Sequence, residues 1–558
     1  MIEQVPLSSP YFSAKVEAFL KANGLRMEPM DAYFASLDEA GEILAGAGIA
    51  GDVLKCMAVS EHARSEGLLV PLVSRLVAEN PEKCLKVFTK PEYQPVFESL
   101  GFHLLASAPL AVLLERGRGL EDYCDYLRAS VVPGRCGVVV MNANPFTLGH
   151  RYLLEEALKQ VAHLYVIPVK EDVSEFPYSE RLEMIRAGSA GLPVTVLEGS
   201  PYVISAATFP TYFLKDLSQA AETQMQLDLD LFHRRIAPAL GNPTRFVGSE
   251  PLDPLTAQYN ALMPLAVEIP RLKTASSGQA AQKAVSASSV RAFLAAGQFR
   301  AATALCPRTS WPYLLAALAE RALRLELDTA LKPGLVGPDG PGAHRDMDHG
   351  TMLSGIRALR PFWSRMAVAD SPETLRLLGI EAEDAMLAAT GSVNTHRGAI
   401  FCFGLVLNAF ARGAYITENE KDIQNRCIQI ATSILRKQLN DNKLLATLQG
   451  ARRMALSGYA LLFKDWLPFY RSLAEEKCPM AKQRLLLRIM STLVDSCILK
   501  RAGETRAREV KMEAEELQRH FTEEKLKTMC IRYAQEGISP GGAADMLALT
   551  IFIDSITK

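Results

Sequence analysis

The stretch CGVVVMNANPFTLGHR, residues 136–151, decides how the middle of the chain folds. Gly137, Val138, Val139, Val140 and Met141 form the short apolar run of a strand buried on both faces. Asn142, Ala143, Asn144 and Pro145 then supply turn chemistry. Leu153, Leu154, Ala157, Leu158 and Val161 repeat at helical spacing, so the element is strand, turn, helix. Thr147, Leu148, Gly149 and His150 fall where the helix begins, and its unpaired amides and positive dipole end suit a phosphate. Gly149 lets a phosphate approach the backbone closely, and His150 can donate to a bridging oxygen.

Composition sets the frame for this element. The 558 residues suffice for about three or four domains. A hydrophobic share of 49% and a charged share of 22% are ordinary for a globular protein, and the net charge of -1 argues against nucleic acid and anionic membranes as partners. Ten cysteines without a CxxC pair speak against a zinc site or a disulfide framework, and point to reduced thiols in the cytoplasm. The N-terminus lacks the pattern of a signal peptide, and the apolar stretch 399–411 is too short, and is broken by Asn408, for a membrane span.

Upstream of the central stretch, residues 1–125 alternate helix and strand. A helix is expected near Ser13–Ala22 and a strand pair around Glu42–Ser60, with Gly46, Gly48 and Gly51 at the turn. In KCMAVSEHARSEGLLVPLVSRLVAEN (55–80), a strand passes through a loop with Arg64 and Gly67 into a helix with Leu68, Leu69, Leu72, Val73, Leu76 and Val77. This segment resembles the acetyl-CoA-binding part of the GNAT acetyltransferase fold, although Leu69 stands where that fold has Gly or Ala. PEYQPVFESLGF (91–102) resembles its late helix. The expectation for this part is the fold without the catalysis, with acetyl-CoA not assigned as its ligand.

Downstream, FPYSERLEMIRAG (176–188) sets Arg181 and Met184 on one helix, SPYVISAATFPTYFLKD (200–216) brings Lys215, and VGSEP follows a short strand at Arg245–Val247 with Gly248 and Glu250. EIPR (268–271) precedes a polar loop, and VSASSVRAFL (285–294) opens a helix with Ser286, Ser288 and Ser289 ahead of Arg291. Hydroxyl caps and a cation at a helix start form a second phosphate clamp. In this order the strings closely resemble the citrate (pro-3S)-lyase ligase family, which acetylates the prosthetic-group thiol of citrate lyase with ATP and acetate. That family lies within the nucleotidyltransferase superfamily, marked by HxGH and a later (I/V)SxSxxR-type motif. The resemblance covers residues 1–305 and implies a Rossmann-like catalytic domain over 130–305. It implies His150, Arg291 and Lys215 as catalytic residues. ATP would be bound by Asn142, Asn144, Pro145, Phe146, Thr147, Gly149, Arg181, Gly248, Glu250, Ser286, Ser288 and Ser289. Thr147 occupies the first His position of HxGH, so the charge lost there must come from elsewhere: Arg291, Lys215 or Mg²⁺.

After a brief linker at 306–310, the pattern from Trp311 to the C-terminus is helical and predicts an all-α domain over 311–558. KPGLVGPDGPGAHRDMD (332–348) holds Lys332, His344, Asp346 and Asp348, and its two carboxylates suit Mg²⁺ bridged to phosphates. TGSVNTHRGAIFCFGL (390–405) puts Asn394, Thr395, His396 and Arg397 before an apolar helix. QGARRMALSGY (449–459) adds Arg452, and ISPGGAADMLAL (538–549) reads as Ser539 at the N-cap, then Pro540, Gly541 and Asp545. As a set these strings resemble the triphosphoribosyl-dephospho-CoA synthase family, which joins the ribose of ATP to 3′-dephospho-CoA with loss of adenine. The resemblance implies Asp346 and Asp348 as metal ligands, and Lys332, His344, Asn394, His396, Arg397, Arg452, Ser539, Gly541 and Asp545 as substrate contacts. In VDSCILKRAGE (494–504), Cys497 stands where the family tends to have Asn.

The whole chain therefore reads as a multidomain protein, two α/β parts followed by an all-α part. It is expected to be a bifunctional maturation enzyme with ATP, Mg²⁺, acetate and dephospho-CoA as small partners and the citrate lyase acyl carrier protein subunit as macromolecular partner. An adenylyltransferase is the rival from another enzyme class, since the same TxGH site serves that chemistry. A degenerate half acting as a docking scaffold is the non-enzymatic rival, against which the intact His150, Arg291, Asp346, Asp348 and Arg397 argue.

Overall fold

The computed structural model describes residues 2–171, 174–203, 217–249, 254–263, 265–274, 283–413, 420–439 and 450–558. The chain divides into two compact units, one of Met1–Asn144 with Gly149–Val285 and one of Pro145–Leu148 with Ser286–Lys558.

The first unit holds two sheets. In the first, β1 (Ile2–Val5), β2 (Ala32–Leu37), β3 (Ile43–Ala50), β4 (Val53–Val59), β5 (Leu85–Thr89), β6 (His103–Ser107) and β7 (Val112–Arg116) lie in the order β1-β2-β3-β4-β5-β7-β6. All neighbours are antiparallel except β4 and β5, which pair in parallel only at Val53–Lys86 and Leu54–Val87. Pairing stops there, where Cys56 takes a left-handed backbone (φ 52°) and the β3–β4 register slips between Gly46 and Gly48. Gly51 (φ 60°) makes the β3–β4 turn, as expected. Gly46 and Gly48 do not: both lie within β3, where a Cβ would collide with Tyr33 and Met30. The helix Leu69–Glu79 buries Leu72, Val73 and Leu76 against one face of this sheet, beside Phe34, Ala47, Leu54 and Val87. The helix Pro10–Ala22 buries Val16, Phe19 and Leu20 in the core on the other face.

The second sheet is parallel throughout. Its strands β8 (Cys136–Met141), β9 (His163–Pro168), β10 (Val194–Val196), β11 (Thr244–Gly248) and β12 (Val267–Ile269) run β10-β9-β8-β11-β12. The apolar run in the opening stretch is β8, the middle strand, paired with β9 along its full length from Cys136–His163 to Met141–Pro168. Gly137 sits where a Cβ would strike Phe246 and Leu164, so only glycine admits both neighbours. The order reverses between β8 and β11, which places the turn after Met141 at the switch point where parallel sheets bind ligands. The helix that follows is Leu148–Ala157; it stops short of Val161, which is buried in the connection to β9. One core runs through this unit: Leu113, Leu120, Cys124 and Leu127 pack in the same cluster as Val138, Tyr165, Ile167 and Tyr202.

The second unit is helix-rich. Its last helix, Gly541–Thr557, is buried on every side from Met546 to Ile556, as a central helix must be when its sequence is apolar all round. Helix Arg397–Arg412 is nearly as enclosed, and Phe403 packs on Phe552 and Trp363 with ring centroids 5.3 and 5.7 Å apart. The expected linker at 306–310 is part of this packing, with Cys306 and Ser310 buried and Ser310 Oγ donating to the Phe146 carbonyl at 3.0 Å. No helix among the described residues is long and apolar enough to cross a membrane. Asn408, the polar break in the apolar stretch, is fully buried and donates to the carbonyls of Met366 and Ala369, each at 2.9 Å, while its oxygen accepts from Arg412 Nε at 2.7 Å. It ties the end of one helix to the body of another. Asn408→Leu removes these hydrogen bonds from a buried joint, so urea denaturation should show a loss of about 2–4 kcal/mol.

Candidate functional sites

In the first unit the turn after β8 is shaped from beneath. Ala143 adopts φ 49°, an uncommon backbone for a residue with a Cβ. Arg181, fully buried, holds it there. Its guanidinium donates to the carbonyls of Phe176 (3.0 Å), Asn142 (2.9 Å), Val169 (2.9 Å) and Glu171, and to Asn142 Oδ1 (2.7 Å). The expectation that Arg181 meets ATP directly is corrected by that burial: the guanidinium is spent on loop carbonyls, and its part is to fix the loop. Asn144 Oδ1 accepts from the Phe176 amide at 3.2 Å, and Asn142, exposed at the surface, donates to Glu171 at 2.9 Å.

His150 is half-buried, and desolvation together with the positive charge of Arg271 pushes its pKa down to about 4. The imidazole is neutral at pH 7 and acts as a hydrogen-bonding group without charge. In the sequence Arg271 is no more than the last residue of EIPR. It follows β12, its amide donating to Ser249 Oγ at 3.1 Å and its Nε to the Ser249 carbonyl at 2.8 Å. Gly248 ends β11 opposite Ile269, so Arg271 stands at the carboxyl end of the sheet, in the electrostatic field of His150. The sequence could not place it there, because the β11–β12 pairing brings it in. Lys215 and Glu250 lie outside the described residues.

In the second unit, Phe146 and Thr147 are buried, and the Leu148 amide donates to the Leu305 carbonyl at 2.9 Å. Ser286 caps helix Ala287–Ala295, its Oγ accepting from the Ser289 amide at 3.1 Å and lying 3.0 and 2.8 Å from the hydroxyls of Ser288 and Ser289. Arg291 lies on that helix, one turn in.

A cavity of about 780 Å³ opens in the same unit where three helices begin: Arg397–Arg412, Ser496–Arg519 and Gly541–Thr557. Their positive ends, with Arg397, Arg452 and Lys500, make its wall cationic. Carboxylates Glu383, Asp495 and Asp545 complete it. Asp495 Oδ1 accepts from the amides of Cys497 (2.7 Å) and Ile498 (3.4 Å), and its Oδ2 from the Ala543 amide (2.9 Å), so one side chain caps two helices. Asp545 is pressed against Gly398, where a Cβ would overlap its carboxyl, and accepts from the Ala399 amide. Burial and the neighbouring carboxylates Asp495 and Glu326 raise its pKa well above the ordinary range, and no ion pair to it occurs among the described residues. Burial raises Asp495 as well.

Of the residues expected in this domain, Asn394, Arg397, Arg452 and Asp545 line the cavity. Asn394 Oδ1 accepts from the Arg397 amide at 3.1 Å, and Arg397 pairs with Glu383. The others do not line it. Lys332 is buried against Glu326, donating to its carboxylate at 2.5 Å and its carbonyl at 2.7 Å. His344 Nε2 lies 2.7 Å from Ser539 Oγ, so Ser539 is not the cap expected of it, and the last helix starts at Gly541 behind Pro540. Asp346 and Asp348 do not form the expected Mg²⁺ pair. Asp348 caps helix His349–Ala367, its Oδ1 accepting from the Thr351 amide at 2.8 Å and the Thr351 hydroxyl at 2.9 Å. Asp346 is largely exposed, 3.7 Å from His344 Nδ1, and no group of three or more His, Cys, Asp or Glu suited to a metal occurs among the described residues. His396 is buried at the start of its helix, Nδ1 2.8 Å from Thr395 Oγ1, and desolvation and the Lys332 charge push its pKa down to about 4. It adds no charge at pH 7. Nothing in VDSCILKRAGE singles out Asp495 and Lys500, which line the cavity beside Cys497.

Two family descriptions match the chain: citrate lyase ligase C-terminal domain over residues 136–314, and ATP:dephospho-CoA triphosphoribosyl transferase over residues 312–558. A citrate (pro-3S)-lyase ligase of Haemophilus influenzae is 40% identical over 54% of this chain and 94% of its own length. One of Escherichia coli is 38% identical over 54% of this chain and 90% of its own. A Streptococcus mutans protein named "Probable 2-(5''-triphosphoribosyl)-3'-dephosphocoenzyme-A synthase" is 34% identical over 44% of this chain and 96% of its own. The chain belongs to both families. It carries a citrate lyase ligase domain first and a triphosphoribosyl-dephospho-CoA synthase domain second.

The buried histidine of the synthase domain has a measurable consequence. Its folded pKa of about 4 lies below the unfolded value of 6.5, so between those limits only the unfolded chain takes up the proton. The stability this histidine contributes is therefore complete above pH 6.5 and falls as pH drops through this window, by about 1.4 kcal/mol per unit. Urea denaturation followed between pH 7 and pH 5 should show His396→Gln losing less stability over this window than the wild type, by that amount.

Proposed function

We propose that the chain is a bifunctional enzyme of citrate lyase maturation, with an acetyltransferase-like module over 1–125, a ligase module of nucleotidyltransferase type over 130–305 and a helical synthase module over 311–558. The two family memberships support the pairing of activities, and the cavity at three converging helix starts is the observation that carries the synthase half. The parallel contact of β4 and β5, and the passage from β4 through Arg64 and Gly67 into helix Leu69–Glu79, support the acetyltransferase-like reading of the first module. No acetyl transfer from acetyl-CoA is assigned to it.

In the ligase reaction a carboxylate oxygen of acetate attacks the α-phosphorus of ATP and pyrophosphate leaves. The thiolate of the citrate lyase acyl carrier subunit then attacks the acetyl carbon and AMP leaves. Neutral His150 donates a hydrogen bond to the phosphate, and Arg271 supplies the charge that Thr147 cannot. Ser286, Ser288, Ser289 and Arg291 are assigned to phosphate binding from the order of the family motifs.

In the synthase reaction the triphosphate of ATP lies against Arg397, Arg452, Lys500 and the helix starts. The 2′-hydroxyl oxygen of dephospho-CoA bonds to C1′ of the ribose, and the bond from C1′ to adenine breaks. Asp545, whose pKa burial and the neighbouring carboxylates raise well above the ordinary range, gives a proton to the departing adenine. Asp346, largely exposed beside His344, and Asp348, committed to its helix cap, do not fit a Mg²⁺ site.

Purified chain supplied with ATP and acetate should acetylate the deacetylated lyase, and with ATP and dephospho-CoA it should release adenine. His150→Ala should lower acetylation about 100-fold or more and leave adenine release intact. Asp545→Asn should do the reverse. Loss of both reactions in either folded variant would refute separate sites, and pyrophosphate release with a nucleotide acceptor in place of acetate would favour an adenylyltransferase.

A further inference from the structure

The cavity has a neighbour. A second hollow of about 410 Å³ lies against the same wall, Leu493, Val494 and Asp495 lining both. The run Ser496–Arg519 is two helices meeting at Gly503, whose φ of 81° and ψ of 176° break the helical path. The hollow takes its lining from both sides of that break, Ile498 and Leu499 before it and Ala507, Val510 and Lys511 after it. Its floor is thus apolar, while Arg508 and Lys511 bring positive charge. Among the described residues Arg508 pairs with Glu504, which also lines the hollow, and the pair is so exposed that a phosphate could displace the carboxylate at little cost.

The proposed synthase reaction needs two nucleotides with the acceptor hydroxyl against C1′ of the donor, and the converging helix starts suit only the donor's triphosphate. An apolar floor with a cationic edge suits the other: an adenosine carrying a diphosphate and a long, mostly uncharged arm. The polar group in the wall between the two spaces is the carboxylate of Asp495, held in place by the backbone amides of Cys497, Ile498, Gly542 and Ala543. We propose that the hollow at the Gly503 bend binds the acceptor nucleotide, dephospho-CoA, and that Asp495 in the shared wall takes the proton of its attacking hydroxyl. The inference rests on the synthase reading above. The atoms balance: the hydroxyl proton passes to Asp495, oxygen bonds to C1′, and the pair of the broken C1′–N bond stays with adenine, which receives the proton of Asp545. Solvent then restores both carboxyls.

The test is two-substrate kinetics of the full chain, with adenine release as signal, on Ala507→Trp, which fills the hollow, and Lys511→Glu, which reverses its charge. Neither residue lines the first cavity. The KM for dephospho-CoA should rise about tenfold or more in each while the KM for ATP holds, and calorimetric titration with dephospho-CoA alone should weaken in step. Asp495→Asn should lower kcat about 100-fold or more and remove the acidic limb of the pH profile while both nucleotides still bind. A rise in the KM for ATP instead, or no change in either constant, overturns the acceptor site and leaves the synthase reading standing. An Asp495→Asn enzyme that binds both nucleotides and retains full kcat overturns the base. If Asp495→Asn loses its thermal transition through the two lost caps, the Ala507→Trp and Lys511→Glu constants decide the proposal. No adenine from the wild-type chain overturns reading and inference together.

Discussion

A buried carboxylate shared between two helix starts holds the cavity of the synthase domain in place. Asp495 satisfies amides at the beginning of Ser496–Arg519 and of the central helix Gly541–Thr557 with one side chain. Capping groups are usually local, within three residues of the amide they serve. Here one of them reaches across 48 positions. That reach converts two independent helix ends into one surface, and the third helix joins it because Gly398 lets Asp545 lie directly on the backbone. The cationic wall follows from the arrangement, since each helix contributes its positive end and one of them also carries Lys500. The same burial that makes the surface also raises the pKa of both neighbouring acids, Asp545 well above the ordinary range.

The ligase half solves a similar problem with the opposite charge. Arg181 lies under the turn after β8 and spends its donors on carbonyls of the loops around it. A lysine could offer neither the fixed fork nor so many donors. The turn above is thereby kept in the backbone that Ala143 requires, at the point where the parallel sheet reverses its order. In both halves a buried ionic side chain sets loop shape, and the groups open to a ligand are other residues.

Burial also alters what the two motif histidines can do. His150 and His396 each stand near a cation, Arg271 and Lys332, and each is desolvated, so both remain neutral at physiological pH. Positive charge in these sites belongs to arginine and lysine, and the imidazoles act by direction and hydrogen bonding.

Much of this was legible in the chain itself. The run Gly137–Met141 and the all-round apolar Met546–Ile556 admit few alternatives, because a strand or helix of that pattern must be enclosed, and both are central elements. The cap at Ser286 was equally local. Other residues had two readings that sequence cannot separate. Asp348 offers the same carboxylate to a metal or to the amides after it, and the choice fell to Thr351, three residues on. Lys332 reads as a phosphate ligand until Glu326 is folded against it. The pairing of β12 with β11 alone brings Arg271 to the end of the sheet near His150, and the packing of the last helix alone brings Asp545 beside Asp495. Hydrophobic period is written in neighbouring residues and so is fixed by the sequence. The charge state and partner of a polar side chain depend on what burial places around it, and that was decided by the tertiary structure.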